Sequence, residues 1–285
     1  MSESEAWQFE ELLKRMRNTQ TLFYNRLAKT GSTTTDIIIR KLAKRHHFDI
    51  RYSTIHRYRK LKTEDRRDLV ATLRNASTPW IYVRHIYYLD VEEFGNDAPM
   101  YINTIREPIE RMNSEYHWQR RSKAEIMNLW GQNGTGQMTF DECIAKYYEK
   151  DYRKCFIWNM QNYMVRFFCG QADVCTDPGP DALNLAKKHI ETQYGVIGDI
   201  DDFRTFFKLL EICLPQFFGG ADQLYYESFY ATDLHKNAGQ YSDVPSVKTV
   251  SYLKNALKYE YELYYFIRQR YFAFVRFLHM KGYDV

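Results

Sequence analysis

The stretch TLFYNRLAKTGSTTTDIIIRKLAKR, residues 21–45, decides how the rest of the chain is read. Residues 21–27 are rich enough in aromatic and aliphatic side chains to form a strand. Residues 28–33 make a tight loop, and a helix follows from about Thr34. Gly31 lets the loop turn where a Cβ would clash. Ser32, Thr33, Thr34 and Thr35 supply hydroxyls, and the N–H groups at the start of the helix point into the loop. Lys29 adds a full positive charge at the same place. A phosphate or a sulfate suits such a site. The Walker phosphate loop is a different pattern, because its Lys follows the second of two glycines and Lys29 precedes the single Gly31. An ordinary strand-to-helix turn would also carry this pentapeptide, so the loop needs support from elsewhere in the chain.

The 285 residues suit one α/β domain. A net charge of +4 points only weakly to a polyanionic partner. With 24 Tyr and 18 Phe, the chain is rich in rings that stack and hydroxyls that meet a polar ligand. No apolar run is long enough to cross a bilayer, and residues 1–20 are too polar for a secretory signal. A lumenal location therefore implies a targeting segment or anchor outside this sequence.

Cys143, Cys155, Cys169 and Cys175 fall in two close pairs, and Cys213 stands apart as a buried thiol on a helix. The pairs lack the C-x-x-C spacing of a zinc ribbon, no His pair accompanies them, and no metal site is expected. Two local disulfides in an oxidising compartment are the expectation; the alternative is five reduced thiols in a cytosolic protein. Asn75-Ala-Ser and Asn133-Gly-Thr are sequons for glycosylation.

Working outward, an amphipathic helix is expected at 5–18 and a second strand at 47–52. A helix at 63–75 has Thr63 as its N-cap. Strands follow at 80–90 and 100–106, and Glu107-Pro108 opens a helix that runs to about Arg121. Residues 127–137 read as a Gly-rich loop, and 139–148 as a helix opened by the capping-box sequence T-F-D-E. Helices at 181–192 and 201–214 flank a short buried strand at 194–198. Residues 225–247 read as a mobile loop, and 247–280 as a C-terminal helical segment whose aromatic stripe suits a core. The adjacent His46 and His47 suit a helix C-terminus. This alternation predicts a single α/β domain over 1–285, with a central, mainly parallel sheet flanked by helices. The basic run over residues 57–67 is either a solvated face or one wall of a groove for a polyanion.

The second signal lies in INTIREPIERMNS, residues 102–114. Arg106 sits where a strand gives way to a helix, and Ser114 lies about two turns further on. A guanidinium fork and a hydroxyl so placed can share one phosphate. Together with the Lys29 loop, the combination resembles the cofactor site of sulfotransferases. The resemblance narrows to the uronyl 2-O-sulfotransferase family, the heparan sulfate 2-O-sulfotransferase branch. YNRLAKTGST, INTIREPIERMNS, RHIYYLDVEEFG, TFDEC, FFCGQADVC and VIGDIDDFRTFFKLLEICLPQFF are all similar to that family's blocks, in compatible order, over residues 22–220. Departures fall mainly on the acceptor side. His85 stands alone where the family has His-Gly-His, Glu115 stands where it tends to have Tyr, Ala28 replaces a Pro, and a mostly neutral Gly-rich loop replaces a basic insertion.

The resemblance implies a P-loop-like sulfotransferase fold and in-line transfer of sulfate from 3′-phosphoadenosine 5′-phosphosulfate to a glycosaminoglycan hydroxyl, the 2-O of a uronic acid. His85 would be the general base. Lys29 would stabilise charge on the leaving phosphate, and Arg26 would face the sulfate or the acceptor. Lys29, Thr30, Gly31, Ser32 and Thr33 would cradle the 5′-phosphosulfate, and Arg106 and Ser114 the 3′-phosphate. The acceptor would be a sulfated or carboxylated polysaccharide, met by Arg26, Arg57, Arg59, Lys60, Lys62, Arg120 and Arg121. No metal is required, since fixed cations take its place, and no nucleic acid is involved. The family also implies the Golgi lumen, a membrane anchor outside this sequence, and assembly as a homotrimer. Two other readings remain: an inactive relative that binds sulfated glycans, and a P-loop kinase or NTPase.

Overall fold

The central strands are buried along nearly their whole length, as an α/β sheet covered on both faces requires. In the computed structural model, residues 1–53, 59–95, 97–148, 150–157, 159–230 and 244–285 are described. The strands are β1 (Thr21–Asn25), β2 (Asp49–Tyr52), β3 (Trp80–Arg84), β4 (Met100–Ile105) and β5 (Tyr194–Asp199). They pair in the order β2-β3-β1-β4-β5, every pair parallel. Register places Leu22 beside Ile81 and Met100, so β1 lies at the centre.

Successive side chains on a strand point to opposite faces. Phe23, Tyr82, Tyr101 and Tyr194 accordingly enter one core layer, and Leu22, Tyr24, Ile81, Val83, Ile102 and Val196 the other. The second layer packs against α1 (Glu3–Asn18) and α2 (Ser32–His46). The first packs against α3 (Thr63–Arg74) and α4 (Pro108–Trp118). Next come α5 (Lys123–Asn133), α6 (Phe140–Lys146), α7 (Tyr163–Cys169) and α8 (Pro180–Gln193). After β5 follow α9 (Phe203–Cys213), α10 (Pro215–Phe218), α11 (Ala221–Tyr230), α12 (Val247–Ala256) and α13 (Lys258–Met280). The start of α13 enters the first layer through Tyr261, Leu263, Tyr264 and Ile267. Its end enters the second through Tyr271, Phe274, Phe277 and Leu278.

Several expectations shift. α2 begins at Ser32, two residues before Thr34, because Gly31 takes the left-handed N-cap position with φ 69°. Thr63 is the first helical residue of α3, and Lys62 holds the cap position without a side-chain bond. β3 stops at Arg84 rather than running to Asp90, so His85 lies just past the strand. The loop expected at 127–137 is largely the helix α5. Ser122 accepts the Glu125 N–H at its start and Gly134, at φ 64°, ends it, while Gly131 is tolerated inside. The loop expected at 225–247 overlaps α11 and the start of α12; residues 231–243 lie outside the described residues. α7 was not expected at all. His46 does end α2, the Thr139 capping box forms, and Pro108 takes an early position in α4.

Both local disulfides form, Cys143–Cys155 and Cys169–Cys175, and Cys213 is a buried thiol whose pKa burial pushes up to about 12. Among the described residues no helix is long and apolar enough to cross a membrane.

Candidate active site

The chain leaves β1 toward β2 on one side of the sheet, and leaves β4 toward β5 on the other. α2 and α4, which follow these neighbouring strands, pack on opposite faces. The loops after β1 and β4 therefore diverge, and the crevice they open at the carboxyl ends of the strands is where open α/β sheets bind ligands. Lys29 and Gly31 lie in the first of these loops, and Arg106 begins the second.

A buried polar network fixes the first loop. Asn25 donates to the Tyr194 hydroxyl at 2.7 Å, and Asn103 donates to the Asn25 carbonyl at 2.6 Å and its side-chain oxygen at 2.9 Å. The Asn103 oxygen accepts the Leu27 N–H at 3.3 Å, and the Thr104 hydroxyl donates to the Thr30 carbonyl at 2.7 Å. Satisfied networks of this kind hold one geometry, because an unpaired buried polar group is costly. Thr30 itself is turned inward. Its hydroxyl donates to the Leu27 carbonyl at 2.9 Å. That corrects its expected role: it can offer a phosphate its N–H, while its hydroxyl serves the loop.

The Gly31 carbonyl accepts the Thr35 N–H at 3.2 Å, so the N–H groups of Ser32, Thr33 and Thr34 precede the first intrahelical bond. Lys29 sits before them in the left-handed region, φ 67°. For a non-glycine residue this costs about 1–2 kcal/mol, a strain of the kind that gathers at functional sites. Its ammonium lies over the Trp118 ring, 5.8 Å from the centroid. Burial pulls the Lys29 pKa below the ordinary lysine range; Glu115 opposes that shift, and the fields of Arg106 and Arg121 add to it. Lys29 and Arg106 thus act on one another electrostatically although they lie on different loops. Arg106 pairs with Glu110 at 3.2 Å and remains partly exposed, and Ser114 is half-buried further along α4.

Gly31 has a second constraint. A Cβ built on it would collide with the ring of Phe203, which covers the loop from the start of α9. Gly31→Ala is expected to lose about 1–2 kcal/mol from the left-handed backbone alone, with a further loss from the collision. Thermal unfolding should show the drop, and adding Phe203→Ala should restore only the part due to the collision.

At the end of β3, the Nδ1 of His85 lies 2.8 Å from the Arg26 carbonyl. A carbonyl only accepts, so Nδ1 carries a proton, and in the neutral ring the lone pair is then on Nε2. The Arg26 N–H in turn donates to the Arg84 carbonyl at 2.8 Å, which extends the β1–β3 pairing up to the imidazole. His85 and the Lys29 loop are therefore held by adjacent strands at the same end of the sheet.

The basic side chains separate into groups. The Arg26 guanidinium turns to Asp36 of α2 at 3.8 Å, and Asp36 also takes Arg40 at 2.9 Å and the Tyr52 hydroxyl at 2.9 Å. Asp36 was not foreseen, since an Asp inside a helix gives no signal of its own. Arg120 was expected to meet substrate, but it donates to the carbonyls of Tyr116, Thr135 and Cys155 and stacks on Tyr116. Burial pushes its pKa down to about 10, and its role is structural. Arg121 is exposed, stacks on Trp118 and stands in the electrostatic neighbourhood of Lys29. Arg59 lies over Tyr163, Lys60 binds Asp173 and Thr176, and Lys62 is exposed. Arg57 lies outside the described residues. Of the two sequons, Asn75 is exposed at the end of α3. Asn133 donates to the Lys154 carbonyl, and its partner Thr135 is fully buried.

No protein-family profile matches the chain. Individual proteins do. Uronyl 2-sulfotransferase of Mus musculus is 29% identical over 270 residues, covering 91% of this chain. The chain spans 64% of that relative's length. Heparan sulfate 2-O-sulfotransferase of Caenorhabditis elegans is 31% identical over 88% of this chain and 78% of its own. Heparan sulfate 2-O-sulfotransferase 1 of Mus musculus is 31% identical over 90% of this chain and 71% of its own. At this identity and coverage, the chain belongs to the family of uronyl and heparan sulfate 2-O-sulfotransferases.

Proposed function

We propose that the protein transfers sulfate from 3′-phosphoadenosine 5′-phosphosulfate to a hydroxyl of a glycosaminoglycan, the 2-O of a uronic acid. The observation that carries this reading is that the Lys29 loop and Arg106 leave the same end of the neighbouring parallel strands β1 and β4, with the His85 ring held to the root of the Lys29 loop. The N–H groups of Ser32, Thr33 and Thr34, with Lys29, would hold the 5′-phosphosulfate. Arg106 and Ser114 would hold the 3′-phosphate. In the transfer, the acceptor oxygen forms a bond to sulfur while the bond from sulfur to the bridging phosphate oxygen breaks. The acceptor proton passes to Nε2 of His85, and Lys29 stabilises the charge that develops on the departing phosphate. Arg59, Lys62 and Arg121 would meet the carboxylates and sulfates of the polymer. The two disulfides fit an oxidising compartment, the Golgi lumen in this reading.

Labelled-sulfate transfer to desulfated heparan and dermatan, followed by disaccharide analysis, tests the proposal. The expected product carries sulfate on the uronic acid. Nucleotide binding without transfer to any acceptor would favour a glycan-binding relative, and tighter binding of ATP with Mg²⁺ would favour a P-loop NTPase.

The lowered pKa of Lys29 adds a pH signature. The charged amine binds phosphate, so affinity for 3′-phosphoadenosine 5′-phosphate is full at neutral pH and falls as pH rises through the Lys29 pKa. Because burial lowers that pKa, the decline should begin at lower pH than an ordinary lysine would give. Calorimetric titration across alkaline pH checks this, and Lys29→Arg, whose charge persists there, should remove the decline.

A further inference from the structure

The loop closed by Cys169–Cys175 holds a buried side chain to which no role has yet been given. Gln171 is 8% exposed. Its amide oxygen accepts the Leu61 N–H at 2.8 Å, and its amide nitrogen donates to the Arg59 carbonyl at 3.1 Å and the Tyr87 carbonyl at 3.2 Å. One end of this bridge is the basic segment 59–62, and the other is the backbone two residues past His85. The surroundings reinforce it. The Tyr87 N–H donates to the Arg59 carbonyl at 3.2 Å, and the Tyr88 N–H to the Phe167 carbonyl at 2.9 Å. Lys60 donates to Asp173 on the same disulfide loop and to Thr176 just after it. Gly170 lies so close to this segment that a Cβ there would sit 2.6 Å from the Tyr88 carbonyl oxygen.

We infer that Gln171 is a positioning residue that sets the His85 segment and the basic segment 59–62 at a fixed separation, and so registers a polymeric acceptor against the base. The inference rests on the proposed sulfotransfer. A polysaccharide gripped through its anionic groups by Arg59 and Lys62 must also deliver one hydroxyl to Nε2 of His85. The distance between grip and base then decides which hydroxyl arrives. Of the ordinary side chains, only glutamine offers two donors and an acceptor at this reach: glutamate lacks the donors, and asparagine is one methylene shorter.

Gln171→Met keeps length and approximate volume without the amide, and Gln171→Glu keeps only the acceptor. Both are expected to raise the acceptor KM about tenfold and to lower kcat by about 10–100-fold, the range that a misplacement near 1 Å produces. Affinity for 3′-phosphoadenosine 5′-phosphate should stay unchanged, and the His85 ring resonances in a nitrogen-labelled sample should move. Parental kcat and KM in both variants overturn the inference. So does a parallel loss of nucleotide affinity, which would make Gln171 a general support of the fold. If the parent chain transfers no sulfate, the proposed function fails instead. The His85 resonances then decide this inference by themselves, and an unmoved ring refutes it.

Discussion

Replacing His85 by alanine is expected to lower kcat by about 10²–10⁴-fold and to leave the affinity for 3′-phosphoadenosine 5′-phosphate as it is. The two effects separate because the nucleotide would be held by residues 29–34, Arg106 and Ser114, while the imidazole stands just past the end of the neighbouring strand. The ring also has a structural bond, from Nδ1–H to the Arg26 carbonyl at the root of the Lys29 loop. His85→Asn tells the two roles apart, since an amide N–H can donate to the same carbonyl yet supplies no base. Equal losses in the alanine and asparagine variants support proton transfer. Recovery in the asparagine variant would mean that the ring serves only to brace the loop.

The second large effect lies away from the chemistry. Arg111 and Glu260 form an ion pair at 3.1 Å with side chains 0% and 1% exposed. Glu260 also accepts the Met164 N–H at 2.9 Å, so the pair ties α4, α7 and α13 together. Burial outweighs the attraction of Arg111 and holds the Glu260 carboxyl above its usual range. Removing one partner leaves the other charge buried without compensation. Glu260→Ala and Arg111→Met are therefore each expected to cost about 3–5 kcal/mol in urea unfolding. Replacing both, as Arg111→Met with Glu260→Gln, should recover most of that loss, because the solvation penalty disappears along with the attraction while the amide oxygen can still accept the Met164 N–H. Nearby, the Tyr261 hydroxyl donates to Glu107, the residue after Arg106. The variants should thus loosen the loop after β4, the one proposed to hold the 3′-phosphate, before the rest of the sheet.

Much of this architecture was legible in the chain. The apolar strand, Gly31 and the hydroxyl run announced β1, its loop and α2. T-F-D-E announced α6, and Pro108 the start of α4. What was not legible depends on partners distant in sequence. The β3 segment carries apolar side chains through Leu89, and nothing local says that pairing ends at Arg84. α5 was hidden by Gly131, Gly134 and Gly136, although Ser122 and Glu125 carried a helix-start signal that could have found it. Asn25, Asn103 and Tyr194 look unremarkable singly, and they form a network only because β1, β4 and β5 become neighbours. Arg120 looked like the other surface cations until the fold supplied three carbonyls for it.

The order of the strands bears on how the chain reaches its native state. β5 pairs with β4, but residues 106–193 separate them, and a parallel partner so remote closes slowly. Both disulfides lie inside that interval and join cysteines only 12 and 6 residues apart. Short loops carry little closure entropy, so these cross-links can form during synthesis, before β5 docks. They would shrink the intervening ensemble and shorten the time for which the outer edge of β4 stands open to misassociation.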